Sequence, residues 1–237
     1  RSPADVWFPS ADFIPPEKSW LGELGWQYET AKGLTYSVET YYKKINNILS
    51  NLSDTDEGDP LVGEGEAYGV EGMIKKQGGK TGGWFNYTLA WSNRQFPIIN
   101  DGAAYPYELD SRHQVKLFLF HQLNPHFTLG MNWIYQSALP QTIAPDNENP
   151  FSELSFDFNI GPRNNVRSTA NHRLDLSLSY QLQQPLLQHQ LKLSIYNVYN
   201  RKNIAFYRLN ALSPENFNLE PIHIMPLMPS LQYRLKF

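Results

Sequence analysis

Residues 172–182, HRLDLSLSYQL, alternate without a defect: Leu174, Leu176, Leu178, Tyr180 and Leu182 fall on one side, and Arg173, Asp175, Ser177, Ser179 and Gln181 on the other. A period of two belongs to a β-strand, whose successive side chains point to opposite faces. The pattern recurs. Leu129, Met131, Trp133 and Tyr135 oppose Gly130, Asn132 and Gln136, and Phe85, Tyr87, Leu89 and Trp91 oppose Asn86, Thr88 and Ala90. Less regular alternation marks 20–29, 34–43, 68–76 and 189–199, while 115–123, VKLFLFHQL, is apolar on both faces and fixes no register. The terminal LQYRLKF places Leu231, Tyr233, Leu235 and Phe237 on one face, which gives nine strands in all. No segment keeps a helical period over three turns, so the chain reads as all-β; strands are also the natural home for its 14 Tyr, 13 Phe and 6 Trp.

The connections between these strands alternate in length. Short turns are predicted at Ala31–Gly33, 77–83, Asn124-Pro125 and 183–188, and long polar connections at about 49–65, 94–110, 138–168 and 208–225. Short and long links therefore fall at opposite ends of the sheet. A Greek-key sandwich does not sort its loops this way, whereas an antiparallel up-and-down transmembrane barrel does, with short periplasmic turns and long external loops. Keeping that parity requires 189–207 to be a single long strand with a β-bulge near Asn197-Val198. It also sets Phe237 at the periplasmic rim, where an aromatic ring favours the headgroup layer. A water-soluble β-sandwich is the rival architecture, and its apolar stripes would be sealed against a second sheet.

Composition removes other classes. A net charge of −3 with no basic run excludes a phosphate-backbone footprint, so no nucleic-acid partner is expected. With no cysteine there are no disulfides and no thiolate chemistry. No stretch of about 18 apolar residues is present, which rules out a spanning helix but not a spanning barrel. Arg1-Ser-Pro carries neither an initiator Met nor a signal peptide, the reading expected of a processed or cut chain. An odd strand count does not close a bacterial single-chain barrel, so residues 1–237 are expected to be the C-terminal part of a larger one.

Several stretches together carry a family resemblance. ADFIPPEKSWLGELGWQYE (11–29), YGVEGMIKK (68–76), WIYQSALPQT (133–142), NHRLDLSLSY (171–180), LSIYNVYNRKN (193–203) and the terminal LQYRLKF resemble, in order, barrel segments of TonB-dependent outer-membrane receptors. The likeness is to receptors of the Bacteroidetes type, with Ala138 where Gly is usual. It implies the last nine of roughly 22 strands around a plugged lumen in the bacterial outer membrane. The plug is expected to be absent from this chain. The function implied is import of a scarce nutrient, an iron chelate, haem, cobalamin, glycan or peptide. The alternative is a receptor-like barrel kept as a structural subunit of a larger outer-membrane complex. Implied partners are outer-membrane lipid, the rest of the barrel and its plug, TonB acting through that plug, and a surface lipoprotein. The terminal strand Leu231, Tyr233, Leu235 and Phe237 resembles the signal read by the barrel-assembly machinery and would close the barrel.

The long loops carry most of the candidate site residues. Tyr105 and Tyr107 are ligand-stacking candidates, although protein contacts would use them equally well. Arg163, Asn164, Asn165 and Arg167 crowd donors suited to an anion or sugar, or else brace their loop. Asp54, Asp56 and Asp59, with Glu57, could hold Ca²⁺, but a solvated acidic loop is the plainer reading, and no metal or other cofactor is expected. His223, near Met225 and Met228, is the best haem candidate among the histidines. His121 and His126 flank an inner turn, and Asp110, Arg112, Arg173 and Asp175 read as polar lumen lining. No nucleophile elbow appears and His172 faces the lipid register, so no enzyme is expected.

Overall fold

The computed structural model describes residues 14–50, 61–142, 162–183, 187–213 and 216–237. The acidic stretch with Asp54, Asp56 and Asp59 lies outside the described residues. A single antiparallel meander forms from β1 (Lys18–Glu29), β2 (Leu34–Leu49), β3 (Val62–Lys76) and β4 (Thr81–Gln95), then β6 (His113–Gln122) and β7 (Phe127–Gln136). It continues through β10 (Asn171–Gln183), β11 (Gln188–Tyr196) and β14 (Met228–Lys236). Each of these strands pairs with the next, and the two-residue β5 (Tyr105–Pro106) attaches to the outer end of β4. β8 (Pro140–Gln141) and β9 (Val166–Arg167) form a small separate ladder. Among the described residues β1 and β14 are each paired on one side only, so the sheet is an open arc of a barrel wall.

Register places every predicted apolar stripe on one surface. The row Leu178–Leu129 continues to Leu193 and Leu231, and Tyr36–Ile74–Phe85–Leu117–Trp133–Leu174 runs across the sheet in one line. Among the described residues no second sheet covers this surface, and large apolar side chains remain open on it even on interior strands: Leu193 is 46% exposed and Val70 45%. Such a face is stable only against hydrocarbon. Aromatic rows bound it. Near the long loops Tyr42, Tyr68 and Trp91 stand in register with centroids 6.4 and 5.3 Å apart. Near the short turns Phe127 meets Tyr180 at 4.9 Å, and the Tyr233 hydroxyl lies 2.7 Å from His189 Nδ1. Along β10, His172 and Tyr180 are separated by roughly 26 Å at ~3.3 Å per residue. That length, once tilted, suits an apolar band about 25 Å tall.

Strand β6, ambiguous in sequence, takes its register from its neighbours. Val115, Leu117 and Leu119 face outward, and Phe118 and Phe120 face the lumen, where Phe118 meets Trp84 at 6.3 Å. Strands β2, β3 and β4 extend beyond their predicted outer ends. There the outward row reads Trp20, Lys44, Glu66 and Asn93, already above the apolar band, so alternation in hydropathy stops while pairing continues.

The predicted alternation of links holds: 30–33, 77–80, 123–126 and 184–187 are the short ones, and the long ones lie at the other end. The long strand predicted over 189–207 does not form. β11 stops at Tyr196, and β12 (Ile204–Ser213) pairs with β13 (Asn216–His223) as a hairpin off the main sheet. Asn197 is the reason: at φ 53° it leaves the extended region and turns the chain, so the slip in facing marks a strand end and not a bulge. A hairpin adds two strands, so parity survives. In the main sheet a register shift lies instead between Asn46 and Ile48, with Asn47 at φ 59°, and the β12–β13 hairpin has two more, between Ile204 and Phe206 and between Ala211 and Ser213.

The described buried apolar core is small and sits at the outer end, where Ile45, Ile48, Phe96 and Tyr105 cluster over β3. Gly63 makes room for it, because a Cβ there would come within 2.4 Å of both the Gln95 carbonyl and the Phe96 ring. Gly63→Val is expected to displace Phe96 and cost about 2 kcal/mol by overpacking. Unfolding in detergent by urea, compared with the parent, checks this; an unchanged midpoint would contradict the role assigned to that glycine.

Candidate ligand-facing loop layer and lumen

The long connection 96–112 folds back on the outer end of β4. Its anchor is Asp110, 2% exposed, whose Oδ1 accepts from the Ser92 N–H at 2.8 Å. Asp110 Oδ2 receives the guanidinium of Arg112 at 3.1 Å and that of Arg167 in a close ion pair. Arg167 also donates through Nη1 to the Asp110 and Ala138 carbonyls, each at 2.9 Å. One buried carboxylate thus joins β4, the 96–112 loop and the 137–170 loop, and its lone pairs are matched by charged and backbone donors, the condition for burying a charge.

The two loops are laced further along. Asn100 Oδ1 accepts from Arg163 N–H at 2.6 Å while Asn100 Nδ2 donates to the Arg163 carbonyl at 3.1 Å. Asn164 Nδ2 donates to the Pro106 carbonyl at 2.6 Å, and its backbone N–H donates to Thr142 Oγ1 at 3.0 Å. Asn100 and Asn164 both have φ above 50°, a conformation their short amide side chains tolerate.

Of the predicted ligand-facing residues, the structure brings Tyr105, Tyr107, Arg163, Asn164 and Arg167 into this single layer. Tyr105 is 5% exposed inside the outer cluster, so its ring is spent on packing. Tyr107 is half-buried and carries the Arg94 guanidinium 4.4 Å above its ring. Asn165 is exposed beside them. Asp110, which in the sequence reads as lumen lining, is instead the hub of this layer; its 18-residue separation from Ser92 and 57-residue separation from Arg167 conceal that role.

A second polar knot closes the turn after β11. Asp175 is held by Arg173 Nε at 2.9 Å and accepts from the Asn197 N–H at 2.9 Å. Arg173 also lies 4.1 Å over the Tyr196 ring and donates to its hydroxyl at 2.7 Å. Asn197, fully buried, donates to the Arg201 carbonyl at 2.9 Å and accepts from the Arg201 N–H at 3.0 Å. Asn203 pins the base of the β12–β13 hairpin to the His172 backbone in both directions, at 2.9 and 3.0 Å. Asn197→Ala is expected to cost about 2–3 kcal/mol, through loss of these bonds and the strain of Ala at positive φ. Faster amide exchange at 197–203 is the readout, and unchanged protection would refute it.

The lumen side differs in charge from one part of the arc to the other. Glu23, Glu39 and Glu71 line a cavity of about 540 Å³ with Tyr41 and Lys43 on β1–β3, and Glu39 and Glu71 are direct cross-strand neighbours. On β10–β14 the lumen face shows Lys192, Arg234 and Lys236. All histidines but His223 stand at the rims: Tyr87 Oη is 2.9 Å from His113 Nδ1, Tyr199 Oη 2.8 Å from His172 Nδ1, and His126 Nδ1 is 2.9 Å from the Gln181 carbonyl oxygen. His223 ends β13, opposite Ile204. Among the described residues no group of three or more His, Asp or Glu is placed to hold a metal ion.

Residues 2–200 match the family model described as TonB dependent receptor-like, beta-barrel. No curated protein sequence matches. Among solved structures, the ferric citrate transporter FecA in its unliganded form is similar with a TM-score of 0.64 at 15% identity, covering 92% of this chain and 31% of that one. The ferripyoverdine receptor of the outer membrane of Pseudomonas aeruginosa gives 0.61 at 15% identity, covering 98% and 29%. The ferric-catecholate import receptor Fiu of E. coli K12 gives 0.59 at 15% identity, covering 97% and 30%. The chain thus spans about a third of the length of these structures. With the open arc, its lipid-facing stripes and its sorted loops, the match places the chain in the TonB-dependent receptor β-barrel family of the bacterial outer membrane.

Proposed function

We propose that this chain is barrel wall and outer-loop layer of a receptor that imports a scarce nutrient, with a ferric chelate as the first candidate. Family membership supports import, and the similar structures include a ferric citrate transporter, a ferric-catecholate import receptor and a ferripyoverdine receptor. The observation carrying the reading is the loop layer fastened by Asp110 above the lumen. A preorganised polar surface loses little freedom on binding a ligand. Within it Tyr107, Arg163 and Asn165 are the proposed ligand contacts, while Tyr105, Asn164 and Arg167 position them. The plug, TonB acting through it, the barrel-assembly machinery reading Leu231 to Phe237, and a surface lipoprotein complete the proposed assembly.

The test is uptake by whole cells carrying the full-length receptor, using radiolabelled ferric citrate, a ferric catecholate, ferripyoverdine, haem and cobalamin. Deletion is expected to abolish uptake of one of them. Undiminished uptake of all five would overturn the reading. One observation favours a second, structural role: so many loop donors are engaged in bracing, Arg167 and Asn164 foremost. Stable co-purification with other outer-membrane proteins, with no uptake defect on deletion, would establish that alternative.

A further inference from the structure

The outward, lipid-facing surface of β3 differs in charge at its two ends. At the outer end it shows the carboxylates Glu64 and Glu66, and at the short-turn end it shows Lys76, between Leu34 and Gly83. Lys32 and Lys80 stand in the two adjoining turns, which are tied where the Gln77 N–H donates to the Gly33 carbonyl at 3.0 Å. All three lysines are exposed, and among the described residues no ion pair engages them. Glu29, the carboxylate that precedes the first of these turns, lies in a row with Thr35 and Lys75 on the lumen face. Thr81 and His121 continue the outward rim, with Oγ1 2.6 Å from Nδ1. Further along β3 the apolar band has a notch. A Cβ at Gly72 would meet nothing within 4 Å, while Val70 and Ile74 on either side are each 45% exposed. Tyr87, the cross-strand neighbour of Gly72, leaves the notch open because its hydroxyl reaches His113, opposite Leu89 and so nearer the outer end.

We propose that this surface is a site for one anionic glycerophospholipid of the periplasmic leaflet, with its phosphate among Lys32, Lys76 and Lys80 and an acyl chain lying past Ile74 into the notch at Gly72. Charge selects the headgroup. Lysines at a membrane surface attract anionic lipid, by about fivefold in affinity for each one. Their ammonium groups are compact, mobile donors suited to a phosphate. The notch selects a lipid over a free phosphate, because only an acyl chain gains by covering Val70 and Ile74. From Lys76 to Gly72 is roughly 13 Å along the strand at ~3.3 Å per residue, a length that stays within one leaflet. An anionic glycolipid of the outer leaflet would meet Glu64 and Glu66 instead, which repel it. The inference depends on the outward register of β3 and not on which nutrient is imported, so it can fail while the import reading stands.

The experiment titrates the full-length receptor in detergent with phosphatidylglycerol or phosphatidylethanolamine of identical acyl chains, and counts bound lipid by native mass spectrometry. Phosphatidylglycerol is expected to bind about a hundredfold more tightly, from three lysines acting together. Lys76→Gln is expected to lower its affinity about fivefold, and the triple Lys32→Gln, Lys76→Gln, Lys80→Gln to bring it to the level of phosphatidylethanolamine. Lys76→Arg should retain it. Gly72→Leu fills the notch and is expected to weaken both lipids about tenfold while leaving the preference between them, which separates the chain from the headgroup. Heat-modifiable migration on gels verifies that each variant is folded, and a triple variant that is not is replaced by Lys80→Gln alone, with a fivefold loss expected. Equal affinity for the two lipids in the parent, binding indifferent to the lysines or to Gly72→Leu, or displacement of phosphatidylglycerol by an equal concentration of inorganic phosphate would each overturn the proposal.

Discussion

Asp110→Ala is expected to unlatch the outer loops while leaving the transmembrane strands in place. The substitution strips the Ser92 N–H of its acceptor and takes the shared counter-charge from Arg112 and Arg167. Breaking a buried ion pair costs 3–5 kcal/mol, because the surviving partner keeps its desolvation penalty. Here the arginine side chains are 29% and 35% exposed, and Arg112 keeps a second partner in the Trp91 ring at 4.8 Å, so the lower end applies. A loss of about 3 kcal/mol corresponds to about a hundredfold rise in local opening. Hydrogen exchange should therefore accelerate over 96–112 and 162–170 and stay unchanged in β10 and β11. Asp110→Asn keeps the Ser92 acceptor and loses the charge, and should fall between the two. A double-mutant cycle with Arg167→Ala isolates the pair. Equal protection in parent and variant would show that the loops are held by something other than this carboxylate.

The arc of the barrel was legible because its two faces meet different media. Leu174, Leu176 and Leu178 face hydrocarbon and Arg173, Asp175 and Ser177 face the lumen, so hydropathy alone reveals both strand and register. Where the media stop differing, the signal stops. The outer ends of β2 and β3 show Lys43, Lys44, Glu64 and Glu66 on both faces, and there pairing continues unseen by periodicity. Phe118 and Phe120 hid the register of β6, though not the strand, for the converse reason, since a lumen wall can carry aromatics as well as polar groups. The β12–β13 hairpin was missed because Asn197 reads as an ordinary polar residue, and only its backbone shows the turn. The loop layer was legible as a collection of donors, Arg163 to Arg167, but not as a network. Its hub Asp110 is joined to partners distant in the chain, and no spacing rule encodes that.

Leu176→Arg is expected to destabilise the folded barrel by about 3 kcal/mol, whereas Ser177→Arg, one residue on, should cost less than about 1 kcal/mol. Leu176 lies midway along β10, 40% exposed, in a row with Met131 and Ile195 on the outward face. An arginine there must enter the bilayer near its centre or pull water and headgroups inward. Ser177 pairs with Gly130 and Ser194 on the other face, where a long cation reaches lumen water. The contact most at risk at Ser177 is local, because its Oγ lies within 2.6 Å of where a Gly130 Cβ would stand, and an arginine can swing clear of it. The two substitutions introduce the same charge into the same strand at the same depth, so differences in assembly and unfolded state largely cancel. Urea unfolding of the full-length receptor in phospholipid vesicles measures the difference. A second sheet packed over the stripes would make Leu176→Arg still more costly in water and indifferent to lipid, so the comparison is repeated in detergents of shorter acyl chain. A penalty that shrinks as the apolar layer thins assigns the stripe to the membrane; a penalty independent of the layer, or equal at both positions, would contradict the facing on which the lumen and its charged walls depend.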